Sequence, residues 1–359
     1  MNKLSVVYVL PVKGGGGGAH SVAQEVNDLI RFGVDAKIAV NEKNVTSFVT
    51  NYSDLENVKN CIVSYDKDED LDALIQDVDL VVCTLFTSVA TVKSSLERME
   101  TGKPRVAYYI QDYEPLFCKL DDELYASAVA SYSEIKNSLL FAKTDWIREI
   151  VSRNHHVEVK KVSPSLDTSI YFPASRSSDH TIRVTAMVRP STPRRAPQRT
   201  MSILKEISER YGDNVSINIF GCSDQDIFYA QLPSDFPHVN HGVLSRSQVA
   251  ALMRQSTIFL DLSDYQAFGR TGLEAMACGC ISMLPVFGGA HEYALHGINS
   301  FLVDTRSKQN ILDVFDEFMS LSSTEKLRMS DAAVLKSQEY SIGCAAFSKM
   351  QLFRDFVAA

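Results

Sequence analysis

The strongest constraint on the fold is an alternation of short apolar runs with helical segments that occurs twice along the chain. In the first half, strand patterns at 4–12, 34–40, 80–85, 106–110 and 139–142 are separated by apolar residues at helical spacing, as at 20–32, 71–75 and 146–151. After residue 180 the alternation begins again, with strands at 182–188, 215–220, 258–262 and 281–284 and a helix at 201–211. This α/β pattern predicts two parallel sheets, each covered by helices on both faces.

The length of 359 residues also favours two domains over one core. We expect an N-terminal Rossmann-like domain at 1–165, a proline-containing polar linker at 163–179, and a second Rossmann-like domain at 180–340. The tail, 340–359, carries aromatic and aliphatic residues at helical intervals. We expect it to form a helix that packs back on the first domain.

Charge and cysteine content exclude several classes of protein. The net charge of −8, from 36 Lys+Arg and 44 Asp+Glu, argues against a nucleic-acid binder. The seven cysteines have neither CxxC nor zinc-like spacing, so we expect free thiols in a reducing cytoplasm and no metal site. No window approaches the ~20 apolar residues of a membrane span. We expect a cytoplasmic protein without a signal peptide or transmembrane segment, in contact at most with the inner face of a membrane.

Five consecutive glycines, 14–18, stand between the first strand and the first helix. Glycine allows the backbone to approach a ligand, and a helix start offers free N–H groups, so this loop suits a phosphate or a sugar. The Rossmann dinucleotide fingerprint also fits loosely, with Glu42 where its ribose-binding acid would stand. A flexible surface loop is the alternative.

Residues 187–195, Met-Val-Arg-Pro-Ser-Thr-Pro-Arg-Arg, place guanidinium groups between a strand end and a helix start. Because the planar fork of arginine suits bidentate phosphate binding, Arg189 with Arg194 or Arg195 predicts a diphosphate site. A solvated basic patch is the alternative.

The segment 261–304 carries the most specific pattern, beginning Asp-Leu-Ser-Asp-Tyr-Gln-Ala-Phe-Gly-Arg-Thr-Gly-Leu-Glu-Ala-Met-Ala-Cys-Gly. It resembles the donor-binding signature of family 4 glycosyltransferases, in which seven residues separate two glutamates. Glu274 matches the second glutamate, which in that family binds the donor ribose. The first, which faces the donor sugar, falls on Gln266, so this position keeps its hydrogen-bonding capacity but loses its charge. The resemblance also implies donor contacts from Phe268, Gly269, Thr271, Gly288 and Gly289.

Other segments follow the same family resemblance. Arg189 and Arg194 stand five positions apart, like the family's Arg and Lys that stabilise the departing diphosphate, and Arg195 is able to substitute for Arg194. Gly242 and Leu244 lie in a segment, 239–244, like the loop whose backbone binds the nucleotide base. Gly17 and Gly18 match the family's Gly-Gly loop.

The resemblance implies the GT-B fold, in which two Rossmann-like domains have parallel sheets that face each other across a cleft. It also implies retention of anomeric configuration, a nucleotide-sugar co-substrate, and neither cofactor nor metal, since arginines can neutralise the departing diphosphate.

Residues 109–115, Tyr-Ile-Gln-Asp-Tyr-Glu-Pro, together with the arginine segment, resemble the rhamnosyltransferases that build bacterial surface glycans. This implies dTDP-L-rhamnose as donor and a glycan or lipid-linked glycan as acceptor. Asp112 is expected to orient or deprotonate the acceptor hydroxyl, with Glu114 and His20 as further acceptor contacts and His291 as a weaker candidate. The alternative is that Asp112 caps a helix with Pro115 in its first turn.

Two further motifs contain residue types that bind metals. Asp224-Gln225-Asp226 has the form of a metal motif but the context of a solvated loop, and His155-His156 cannot converge on one ion.

Three other functions are alternatives. An NAD-dependent oxidoreductase would explain the glycines and Glu42 but not 261–304. A non-catalytic GT-B module is compatible with Gln266, and a sugar-nucleotide epimerase would share the fold.

Overall fold

The structure is a computed structural model that describes residues 3–120, 122–174 and 181–359. The polar part of the expected linker, 175–179, lies outside these residues. The chain folds into two compact units, one formed by Met1–Ser165 with Tyr340–Ala359 and the other by Leu166–Glu339. Within the described ranges, no helix is both long and apolar enough to cross a membrane.

Each unit is built on one parallel sheet, of seven strands in the first unit and six in the second. The strands of the first unit are β1 (Ser5–Val9), β2 (Asp35–Asn41), β3 (Ile62–Tyr65), β4 (Leu80–Cys83), β5 (Arg105–Ile110), β6 (Leu139–Ala142) and β7 (Val159–Lys161). Those of the second are β8 (Ile182–Met187), β9 (Val215–Phe220), β10 (Val239–Asn240), β11 (Ile258–Leu260), β12 (Ile281–Pro285) and β13 (Ser300–Val303).

The helices connect successive strands and cover the sheets. In chain order they are α1 (Gly17–Arg31), α2 (Glu42–Asn51), α3 (Val58–Cys61), α4 (Asp68–Ile75), α5 (Phe86–Arg98), α6 (Glu123–Ala130), α7 (Asp145–His155), α8 (Pro197–Tyr211), α9 (Asp224–Tyr229), α10 (Arg246–Gln255), α11 (Arg270–Ala277), α12 (Lys308–Ser320), α13 (Ser323–Ser337) and α14 (Ile342–Ala358).

The two sheets reverse their order at equivalent places. The first runs β3-β2-β1-β4-β5-β6-β7 and the second β10-β9-β8-β11-β12-β13. In both sheets, the chain adds strands on one side of the first strand of the unit and then continues on its other side. In open parallel sheets, ligands bind at the carboxyl ends of the strands where this reversal occurs. This topology decides where a site can form in each unit.

The sequence pattern predicted the interior strands and missed β3, β7, β10 and β13, which are the four edge strands. Each has only two to four residues. A strand paired on one side needs less burial than a central one, and its run of apolar residues is correspondingly short. By contrast, β4 and β6 are buried at every position, as expected for strands covered on both faces.

The C-terminal helix α14 belongs to the first unit, where it packs against α1. Lys349 of α14 forms an ion pair with Glu25 of α1 at 3.0 Å, and both side chains are fully buried. Glu25 also accepts a hydrogen bond from the Ser165 hydroxyl at 2.9 Å. Phe353 packs edge-to-face on Phe141 of β6. The tail is therefore fixed by a buried charge pair inside an apolar contact.

Replacing one partner of this pair should destabilise the first unit more than replacing both. Lys349→Met leaves the Glu25 carboxylate buried without its counter-charge, which costs about 3–5 kcal/mol, whereas the double variant with Glu25→Met removes both charges. Denaturant unfolding of the two single variants and the double variant gives the coupling free energy. Arg153→Met, which removes an exposed pair with Glu149, is the control. Additive effects of the two changes would contradict this account.

Candidate functional site

The predicted donor residues of the second unit gather at the carboxyl ends of its strands. The segments 189–195, 261–269 and 288–289 follow β8, β11 and β12, which are adjacent in the sheet. Because the strands are parallel, these three loops emerge at one edge. Gly242 and Leu244 follow β10 and precede α10, and the Gly242 carbonyl accepts a hydrogen bond from Gly221 N beyond the end of β9.

The arginine loop after β8 is joined to the loop after β11. Arg194 and Arg195 lie in a 3₁₀ turn, Pro193–Arg195, just before α8. The Arg195 guanidinium is 3.7 Å from Asp261 Oδ2, and the Arg194 guanidinium is 5.7 Å from the centre of the Tyr265 ring. Arg189 is exposed. Arg194 and Arg195 thus lie beside the signature segment, and Arg189 is open to solvent.

Gln266 is held by a close approach of two backbones. Its carbonyl accepts a hydrogen bond from Gly289 N at 2.7 Å, and it forms a parallel bridge with Gly288. A Cβ on Gly288 would lie 2.1 Å from the Gln266 carbonyl oxygen, and Gly288 has φ +110°. Glycine at 288 is therefore required twice, for its conformation and for the space.

Tyr293 fixes the start of α11. Its hydroxyl donates to the Gly269 carbonyl at 2.6 Å, and its ring packs edge-to-face on Phe268. A Cβ on Gly269 would lie 2.6 Å from that hydroxyl. Among the described residues no side chain caps α11, so the N–H groups of its first turn, which includes Thr271, are suited to an anion.

Glu274 lies one turn into α11 in a buried polar cluster. Burial raises the pKa of Glu274 to about 7, against the opposing effect of the Arg270 and Arg246 guanidinium groups and of a hydrogen bond with Tyr171. Arg270 is 3.9 Å from the Glu274 carboxylate, and Arg246 is 3.1 Å from Asp167. The carboxylate is therefore ready to ionise fully when a ligand offers it hydrogen-bond donors.

Sequence reasoning missed several polar residues of this site: Asp261, Arg246, Arg270, Tyr171 and Asp167 as a partner of Arg246. One signal was available for Arg270, which precedes Glu274 by four positions and so lies on the same helix face. The convergence of the others depends on the tertiary fold.

The first unit brings two of its own predicted segments together. Gly14 and Gly15 have positive φ, and α1 begins at Gly17. A Cβ on Gly17 would meet nothing within 4 Å, whereas one on Gly18 would lie 3.1 Å from the Gln111 side chain. The glycine loop after β1 therefore borders the Gln-Asp-Tyr-Glu-Pro segment after β5, with open space at the helix start.

The predicted acceptor residues differ in accessibility. His20 is mostly buried beside the Tyr52 ring, at 5.6 Å between centres. Asp112 is half-buried and accepts a hydrogen bond from Tyr113 N at 2.9 Å. It does not cap the predicted helix, because the 3₁₀ turn Glu114–Phe117 begins after Tyr113.

Glu114, which the sequence predicts as an acceptor contact, has a buried side chain. Its side chain is only 1% exposed, and Oε2 accepts a hydrogen bond from Phe86 N, the first residue of α5, at 2.7 Å. Burial raises the pKa of Glu114 to about 7. The carboxylate anchors a helix start, which a sequence cannot distinguish from an outward-facing acid.

The weaker candidates have structural partners. Asp224 and Asp226 form the first turn of α9 rather than the predicted loop, with Asp226 accepting from Ser223 N and Oγ. The His155 ring lies 4.5 Å from that of Tyr132, and His291 is 2.9 Å from the Val286 carbonyl. The described part of the chain contains no group of three or more His, Cys, Asp or Glu side chains placed to hold a metal.

Gly288→Ala should destabilise the second unit much more than Gly297→Ala. Both glycines have positive φ, but a Cβ on Gly297 would meet nothing within 4 Å. A positive φ costs each alanine about 1–2 kcal/mol, and at 288 the conformation with φ +110° and ψ −158°, which only glycine adopts readily, adds to this cost together with about 1–3 kcal/mol for the clash. Denaturant unfolding of both variants measures the difference, and equal destabilisation would contradict the close approach of Gly288 to Gln266.

Comparison with known proteins finds one family model and several similar structures. Residues 192–337 match the family model described as glycosyl transferases group 1. No curated protein sequence matches the chain. Three solved structures are similar: Anabaena HepE in complex with UDP and glucose (TM-score 0.79, 13% identity, 98% of this chain and 100% of that one); sucrose-phosphate synthase from Thermosynechococcus elongatus (0.78, 12%, 99% and 100%); and a Rickettsia africae glycosyltransferase (0.75, 14%, 99% and 99%).

At these identities the structural likeness shows the fold, and it confirms the prediction of a GT-B architecture with two parallel α/β sheets. The residues that match the family model, 192–337, include Arg194, Arg195, the signature segment and Glu274. The chain has the GT-B fold, and most of its second unit is similar to the group 1 glycosyl transferases.

Proposed function

We propose that this protein transfers a sugar from a nucleoside diphosphate donor, bound by its second unit, to a glycan hydroxyl. The observation that carries the proposal is the convergence of three groups at neighbouring strand ends: the arginine loop, the uncapped start of α11 and the Gln266–Gly288 clamp. Cations and free amides suit a diphosphate, and the buried carboxylate of Glu274 on the same helix suits the diol of a ribose.

The diphosphate would be neutralised by the protein itself. Arg189 is exposed and able to bind it, with Arg194 or Arg195 from the adjacent turn. As the bond to the sugar breaks, charge develops on the departing phosphate, and fixed guanidinium charges and amide dipoles stabilise it without a metal ion. Retention of configuration then fits a front-face reaction in which the departing phosphate helps to accept the acceptor proton.

The donor is proposed to carry a pyrimidine nucleotide. HepE was solved with UDP and with UDP-glucose, which favours a uridine nucleotide. The sequence of segments 109–115 and 187–195 favours dTDP-L-rhamnose, and with it a role in bacterial surface polysaccharide synthesis. Uracil and thymine share the same hydrogen-bonding edge, so the loop containing Gly242 and Leu244 suits either base.

The first unit is proposed to supply the acceptor contacts. His20 lies in the first turn of α1, near the open position at Gly17, and Asp112 follows the carboxyl end of β5, whose next residue Gln111 borders Gly18. Asp112 would position the acceptor hydroxyl rather than attack the donor. Its half-buried carboxylate has the access that Glu114 lacks.

Calorimetric titration with dTDP, UDP, GDP and NAD tests the donor site. We expect tight binding of dTDP or UDP, weakened by about 1.5–3 kcal/mol in both Glu274→Ala and Arg189→Ala, because each removes a charge-assisted contact. Arg210→Ala, which removes an arginine paired with Asp316 at the far end of α8, should leave affinity unchanged. Unaltered affinity in both site variants would refute the assignment. Binding of NAD alone would favour an oxidoreductase, and no binding at all would favour a non-catalytic module.

Nucleotide affinity should also depend on the ionisation of Glu274. Its pKa of about 7 is raised by burial, so the carboxylate that accepts ribose hydroxyls becomes protonated as pH falls through that value. We therefore expect affinity to rise from about one unit below to one unit above that pKa, and Glu274→Gln to lose this part of the dependence. Titration of the ligand phosphates is common to both proteins and cancels. An identical pH profile in Glu274→Gln would exclude the role.

A further inference from the structure

We propose that Asp261 is a positioning residue that supplies the acid missing at position 266 and orients Gln266 toward the donor sugar. The inference rests on the proposed function, because it concerns the sugar end of the same donor site. The family signature places a glutamate where this chain has Gln266, and sequence reasoning assigned no role to Asp261. The geometry joins the two residues.

Asp261 is a buried carboxylate fixed at the end of β11. It is 6% exposed, and its backbone N–H donates to the Met283 carbonyl on β12 at 2.9 Å. Oδ1 accepts hydrogen bonds from the backbone N–H and the hydroxyl of Ser263, and Oδ2 accepts one from Gln266 Nε2 at 2.7 Å. The side chain therefore cannot turn away from Gln266 without breaking three bonds.

This arrangement determines which end of the Gln266 amide faces a ligand. Nε2 donates to both Asp261 Oδ2 and Ser263 Oγ, the latter at 3.0 Å. The reversed amide would point an oxygen at a carboxylate, which has no proton to share. The backbone of Gln266 is held by Gly289. With both its amide nitrogen and its backbone fixed, Gln266 presents Oε1 as a hydrogen-bond acceptor for a sugar hydroxyl.

Asp261 also connects the sugar end of the site with the phosphate end. Oδ2, the oxygen that binds Gln266, lies 3.7 Å from the Arg195 guanidinium. Arg195 belongs to the loop proposed to bind the diphosphate. The Asp261 carboxylate thus fixes the Gln266 amide and lies beside the Arg195 guanidinium. The negative charge that the family signature has at position 266 is therefore present in this chain at position 261.

Because the site needs one negative charge at either position 261 or position 266, we expect that the acid and the amide can be exchanged only when both residues are changed. Asp261→Asn removes the charge and should lower kcat/KM for the nucleotide sugar about tenfold or more, while the affinity for the nucleoside diphosphate alone stays close to that of the wild type. Gln266→Glu places two carboxylates at hydrogen-bonding distance, so its activity relative to the wild type at the same pH should fall, and should recover partly as pH is lowered and the pair takes up a proton. The double variant, Asp261→Asn with Gln266→Glu, restores one charge and should regain activity over both single variants.

Asp316→Asn is the control, since Asp316 lies on α12, outside the donor loops, and pairs with Arg210 at the far end of α8. It should leave kcat/KM unchanged. Thermal unfolding checks that each variant is folded, and if Asp261→Asn does not fold, the pH profile of Gln266→Glu decides. The inference is overturned if a folded Asp261→Asn keeps full kcat/KM, or if Gln266→Glu is fully active at every pH.

Failure of the inference is distinguishable from failure of the proposed function. A wild-type protein that binds no nucleoside diphosphate and turns over no nucleotide sugar would refute both. A wild-type protein that does both, with a double variant no more active than the better single variant, would refute only the role of Asp261. Recovery in the double variant supports it, because a merely structural aspartate would not be rescued by an acid at 266.

Discussion

The second unit's site depends on the close approach of the Gln266 backbone to Gly288 and Gly289. This contact ties the loop after β11 to the loop after β12 across two adjacent parallel strands, and only glycine at 288 leaves room for it. Gln266, the start of α11 and the 288–289 amides are all placed relative to one another by it. Strand order brings these loops to one edge, and the clamp sets their spacing.

The second unit contains two places where a buried carboxylate lies near arginine side chains. In one, Asp261 lies between Gln266 and Arg195 at the strand ends. In the other, Glu274 is enclosed by Arg270, Arg246 and Tyr171 within the helix layer. Each buried carboxylate has cations near it, which limits the cost of burying its charge. The first group is suited to the sugar and phosphates, and the second to a ribose.

The sequence predicted the features that depend on residues close to one another along the chain. The segments 139–142 and 215–220 match β6 and β9 at their observed ends: β6 is apolar and buried at every position, whereas in β9 buried apolar residues alternate with Ser216 and Asn218. The four edge strands escaped prediction since a short strand with one neighbour needs no such run. Glycines and arginines were placed correctly at strand ends because their spacing follows the βα units. The burial of Glu114 and the contacts of Asp261 could not be predicted, because the direction of a side chain depends on contacts distant in sequence.

The central claim is that the loops after β8, β11 and β12 form one nucleotide-sugar site. Hydrogen exchange of the whole chain, with and without a saturating nucleoside diphosphate, tests it most directly. The account predicts slower exchange in peptides covering 187–195, 261–274 and 286–292, with no change at 323–337 in α13. Protection of only one of the three loops, or protection confined to the glycine loop at 14–18, would contradict it.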